Sequence, residues 1–197
     1  VAGNDRAYVY EDPTVVSRML VGVALVDVAI FLFYAWVSLD VAGPGPDPNA
    51  GLVSAAVMLF ILASASALLG LIWVWAVSTN AHGFGRPMRW SRFAAVFWFL
   101  VPLVMWVLPY QALAEIWDVS QDGLPRRRSK WPLMVWWGLF CAAFFVTYVT
   151  LTTSQTPVEP YLQAARGLSL AATAAAFVPV VLSVRVMQVA RHAAARA

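Results

Sequence analysis

Few side chains in this sequence can hold a proton, a metal or a charged ligand, and most of those stand in or beside long apolar runs. Asp27 is the carboxylate deepest in such a run, nine positions after Arg18 and so roughly 13 Å along a helix from that cation. A charge at that depth in hydrocarbon costs at least ~2.5 kcal/mol, so the group is expected to be neutral, hydrogen-bonded or paired. Arg185 lies six positions before Arg191 and is long enough to reach inward, which makes it the favoured partner on depth; Ser64 and Ser66 are the hydroxyl alternatives. The functional reading of Asp27 is a proton or cation site. The preferred reading is structural: an intramembrane polar pair, Asp27 with Arg185, that ties two helices, or a hydrogen bond between Asp27 and Ser64 or Ser66.

Other chemistry-bearing residues fall at the ends of the apolar runs. His82 and His192 are the only two histidines, and both are expected as surface or headgroup residues at helix ends. With no histidine pair inside a bundle and no Cys or His cluster, no metal, haem or other cofactor is expected. The lone Cys141 has no partner for an intramolecular disulfide. Glu115 and Asp118 could act as paired acids, and with Tyr110 could work on a lipid at the interface. Solvation of that face, or pairing with the run Arg126, Arg127, Arg128 and Lys130, accounts for them more simply, and no catalytic residue is assigned. The basic run abuts an apolar stretch and has no folded basic domain around it, so anionic lipid headgroups are its expected partners and nucleic acid is not. No serine-hydrolase elbow or phosphate-binding glycine loop occurs, and Gly83 with Gly85 reads as the end of a helix.

The elements that must position these residues follow from composition. Of 197 residues, 61% are apolar and 12% charged, a balance that would leave a soluble globule with large exposed apolar patches. Four stretches, Met19 to Leu39, Val53 to Val77, Leu133 to Leu151 and Leu168 to Val189, reach the roughly 20 residues that a helix needs to cross a bilayer. A fifth, within Phe93 to Ser120, is ambiguous, because basic residues crowd both its flanks: Arg86, Arg89 and Arg92 before it, the Arg126 run after it. If it crossed, Lys and Arg would divide 6 to 7 between the two sides; if it enters and leaves on one side, they divide 12 to 1, with only Arg166 opposite. The expected fold is therefore an all-α integral membrane protein, residues 1–197 forming a single helical domain with four transmembrane helices, both termini cytoplasmic, and a re-entrant or interfacial hairpin at 93–120. Five transmembrane helices is the alternative.

Pro102 and Pro109 each remove a backbone donor inside the ambiguous segment and suit a helix, break, helix hairpin. Beyond Pro109, Gln111, Glu115, Asp118 and Asp122 share one helical face and Leu113, Ile116 and Trp117 another, the pattern of a helix lying along an interface. The connections 41–51 and 152–160 carry no basic residue and are rich in turn formers, as expected of the outer side. Trp36, Trp90, Trp131, Trp136 and Trp137 are expected in an aromatic belt, and Trp73, Trp75, Trp98 and Trp106 as packing residues. Small residues at Ala63, Ser66, Ala67 and Gly70, and at Gly167, Ala171 and Ala175, permit close helix contact.

The stretch Trp73 to Asp118 also resembles a family of bacterial multi-pass membrane proteins known as domain of unknown function 4328. The resemblance rests on Trp75, Asn80 and Gly85, then Trp90 and Ser91, then Leu100, Val101 and Pro102, then Pro109, Tyr110, Ala112, Glu115, Ile116 and Trp117. Arg92 departs from it, standing where the family usually has a proline. The resemblance implies a bacterial inner-membrane location and marks Asn80, Trp90, Pro102, Pro109, Tyr110, Glu115 and Trp117 as signature positions, but implies no reaction. The function expected is a non-catalytic accessory, scaffold or assembly subunit of a larger membrane complex, with other membrane subunits or further copies of the chain as partners. The alternative is a channel or transporter whose pathway the broken segment lines.

Overall fold

A proline or a short polar side chain opens most of the helices. In a computed structural model of the chain, which describes residues 10–40, 49–102, 104–153 and 158–196 and only the helical backbone of 49–60, the order is α1 (Thr14–Asp40), α2 (Asn49–Gly83), α3 (Arg92–Phe97), a 3-10 turn (Trp98–Leu100), α4 (Leu108–Gln121), α5 (Trp131–Thr152) and α6 (Glu159–Ala194). The Asp12 carboxylate accepts from Thr14 N at 2.9 Å and caps α1. Ser91 does the same for α3, accepting from Ala94 N. Pro109 and Pro132 sit in the first turns of α4 and α5, where the missing N–H has no intrahelical role. Gly85 (φ 77°) and Gly123 (φ 78°) supply the left-handed backbone that follows α2 and α4. Much of connections 41–51 and 152–160, at 41–48 and 154–157, lies outside the described residues.

Among the described residues, four helices are long and apolar enough to cross a membrane: Thr14–Asp40, Ile61–Gly83, Trp131–Thr152 and Glu159–Ala194. Helices α1, α2 and α5 are apolar around their whole circumference, which fits burial in a core or in hydrocarbon. Protein covers little of them: 33% of the most apolar window of α1 is buried and 28% of those of α2 and α5. The uncovered surface, with Phe33, Leu68 and Phe145 among its exposed side chains, needs a hydrocarbon solvent. The chain is a multi-pass membrane protein. Each helix outruns the span expected from hydropathy, because the polar ends of α2 and α6 continue as helix to Gly83 and Ala194. Pro179, which the hydropathy reading passes over, lies inside α6 and removes one of its hydrogen bonds.

The ambiguous segment is the broken one expected. α3 and the 3-10 turn end at Leu100, Pro102 follows on exposed backbone, and α4 begins at Leu108. Pro109 therefore opens a helix and does not break one. On α4, Ala112, Leu113, Ile116, Trp117 and Val119 are buried while Gln111, Glu115 and Asp118 stay partly open, so the amphipathic pattern is realised.

Contacts divide the chain into two compact units, to both of which α1, α2 and α6 contribute residues. One comprises Arg18–Gly70 and Lys130–Val181. Its core includes Phe31, Tyr34 and Ala171. There α6 approaches α1 so closely that a Cβ on Gly167 would stand 2.8 Å from the Phe31 carbonyl oxygen and 2.9 Å from Ala35 Cβ. Trp136 and Trp137 are buried, Trp136 stacked on Phe177 at 4.7 Å. The other unit comprises Val1–Ser17, Leu71–Ser129 and Leu182–Ala197. It buries Trp73 and Val77 of α2, Ile116 and Trp117 of α4 and Val184 and Met187 of α6, and it holds the broken segment entire.

Candidate functional site

The broken segment is held by polar side chains from the ends of α2 and α6. Asn80, fully buried in α2, donates from Nδ2 to the Glu11 carbonyl (2.7 Å) and to Gln188 Oε1 (3.1 Å), and accepts at Oδ1 from Glu11 N (3.1 Å). Gln188, fully buried in α6, donates to the Val77 carbonyl (2.8 Å) and to Ser120 Oγ of α4 (3.1 Å). One turn on, Arg191 donates to the Val119 carbonyl and to the Phe84 carbonyl and lies over the Phe84 ring. Three helix ends are thus joined through groups that would be costly to bury unpaired. Tyr10 stacks on His192 with ring centroids 3.8 Å apart. Burial, and secondarily the charge of Asp12, push the Tyr10 hydroxyl above its ordinary value of 10.0.

The loop between α2 and α3 is fastened to α4 by Glu115. Its Oε1 accepts from Arg89 N at 2.6 Å and its Oε2 from Trp90 N at 3.3 Å, a charge-assisted pair of bonds that joins two of the signature elements. His82 bridges from the other side, with Nδ1 2.7 Å from the Ser78 carbonyl and Nε2 3.0 Å from that of Trp90. Below α4, Gln121 Oε1 accepts from Arg128 N and the fully buried Trp117 donates from Nε1 to the Arg128 carbonyl. Arg86 and Arg127 reach Asp122 at 3.6 and 4.0 Å on the surface. Between loop and α4 opens a pocket of about 460 Å³ whose walls carry Arg86, Arg89, Tyr110, Gln111, Glu115 and Asp118.

Signature positions Asn80, Trp90, Pro109, Tyr110, Glu115 and Trp117 all fall in this one unit, and exposed Pro102 ends its first half-hairpin. Several expectations need correcting. Asp27 does not take Arg185 as its partner: Asp27 Oδ2 accepts from Ser66 Oγ at 2.6 Å, whereas Arg185 Nε donates to Thr14 Oγ1 at 3.2 Å. The reason is register, since Arg185 meets the first residue of α1, which lies thirteen residues or roughly 20 Å along the helix from Asp27. His82 and His192 are half-buried, His82 held between two backbone carbonyls and His192 stacked on Tyr10. Trp136 and Trp137 are core residues and not belt residues, while Trp75 is 45% exposed and does not pack inward. Glu115 does not pair with the arginine run; Arg126, Arg127 and Arg128 are exposed, with the backbone of Arg128 pinned. Gln188, Ser120, Gln121 and Arg191 were missed. A glutamine near the end of an apolar run was the available signal for Gln188, because a polar group at such a depth needs a partner.

A family model described as Domain of unknown function (DUF4328) matches residues 49–195. No curated protein and no solved structure matches the chain.

Proposed function

Since the chain belongs to the DUF4328 family, a domain of unknown function, we propose from geometry alone that it is a non-catalytic accessory or scaffold subunit of a larger membrane assembly. The observation that carries this reading is the position of Glu115. Both carboxylate oxygens face backbone amides of the Arg89–Trp90 loop, so the acid best placed for chemistry holds a surface in shape. The buried amides Asn80 and Gln188 act likewise. Partner helices would meet the apolar surface that α1, α2 and α5 leave uncovered. The test is mild-detergent purification from the native host, combined with deletion of the chain. A stoichiometric membrane partner whose abundance falls on deletion is expected. A clean homo-oligomer that carries solute flux in proteoliposomes would overturn the reading.

One observation favours the second reading, a channel or transporter: Asp27 is buried and its Oδ1 has no hydrogen-bond partner among the described residues. Asp27→Asn distinguishes the two. The scaffold reading expects lower stability with assembly intact; a selective loss of proton-coupled flux supports transport.

A further inference from the structure

We propose that the pocket between the α2–α3 loop and α4 binds a phosphoethanolamine group, and that its source is the headgroup of a membrane lipid. This stands apart from the scaffold reading, since it concerns a ligand of the single chain. The pocket's volume, about 460 Å³, falls within the range of small-ligand sites. Charge agrees with size. The lining includes two cations, Arg86 and Arg89, and two acids, Glu115 and Asp118; Arg86 also reaches Asp122 at 3.6 Å, and both Glu115 oxygens accept from backbone amides. A purely anionic ligand would meet the carboxylates as well as the arginines, whereas a zwitterion meets each with its opposite: phosphate on the arginines, ammonium against Asp118.

The polar lining also selects the kind of ammonium. Gln111 and Asp118 carry oxygen acceptors, with Asp118 Oδ1 also accepting from Gln121 Nε2 at 3.5 Å, and such oxygens suit a primary ammonium with three N–H donors. The Trp90 ring already carries the Arg89 guanidinium, 4.7 Å from its centroid. Tyr110 is then the remaining aromatic wall, and a single ring makes no cage for a quaternary choline. Exposed apolar residues beside the pocket identify the source. Directly after the loop, Phe93 and Leu100 are 66% and 63% exposed, with Phe97 and Val107 also open. A polar pocket followed by an uncovered apolar segment in one unit matches a molecule with a polar head and apolar chains.

The test uses the full chain in nanodiscs that contain equal amounts of phosphatidylethanolamine and phosphatidylglycerol, with retained lipid read by native mass spectrometry. Phosphatidylethanolamine should be retained preferentially, and Arg86→Ala with Arg89→Ala should weaken retention about 10-fold or more. Asp118→Asn should abolish the preference for ethanolamine over glycerol while phosphate-driven retention persists; thermal unfolding of each variant confirms that it is folded. Competition with soluble glycerophosphoethanolamine separates the sources: displacement only at large excess points to the lipid, displacement at equal concentration to a free ligand of the same chemistry. Equal retention of both lipids by the unsubstituted chain, or undiminished retention by the folded double variant, would overturn the proposal.

Discussion

At the scale of single residues, carboxylates and amides that accept or donate inside the protein hold the broken segment in place. Glu115→Gln replaces one acceptor oxygen with an NH₂ group set against a backbone N–H, so stability should fall by about 1–2 kcal/mol. Exposed Arg126→Gln should change it by less than ~0.5 kcal/mol. Thermal unfolding in detergent measures both, and equal shifts would show that the Glu115 bonds are dispensable. Tyr10 gives a pH dependence. Its pKa is raised above 10.0 mainly by burial, so the folded state prefers the neutral phenol. The stabilising contribution is complete below the unfolded value of about 10 and is lost as pH rises through the folded value. Ultraviolet titration of the protein against Tyr10→Phe should show one tyrosine ionising late, and ionisation of that residue at its ordinary pKa would remove the claim that the ring is docked under His192. These roles were only partly legible in the sequence. Types and spacing drew attention to Asp27 and Glu115, and the family resemblance to Asn80, but their partners are set by helix register, which a one-dimensional pattern does not carry; Arg185 is the example.

At the scale of elements, hydropathy located all four long helices, and the two prolines located the break, because both signals are local. Helix ends were placed too far inward, since the polar last turns of α2 and α6 are stabilised by tertiary bonds from Asn80, Gln188 and Arg191 and not by their own composition. The small-residue stripe on α6 was visible, yet only the structure says which glycine matters. Gly167→Ala should cost about 1–3 kcal/mol, because its Cβ would press on the backbone of α1. Gly22→Ala, with none of the described residues within 4 Å of the added carbon, should be neutral or slightly stabilising. Denaturant titration in mixed micelles compares the two, and a neutral Gly167→Ala would mean that the α1–α6 contact is looser than drawn.

At the scale of the whole molecule, basic residues on both flanks of the broken stretch favour its entering and leaving on one side. Within one compact unit, Arg191 joins the carbonyl of Phe84, just past α2, to that of Val119 near the end of α4, so both ends of the broken segment are gathered by one side chain. The sequence could not show this, since it depends on one residue meeting carbonyls 72 and 107 positions away. The most direct test places single cysteines at exposed Pro87 and Pro125 in a Cys141→Ser chain. Sealed vesicles of each orientation are then treated with a membrane-impermeant maleimide. Both positions should react from the same side, and labelling from opposite sides would contradict the four-span arrangement on which the rest of the account depends.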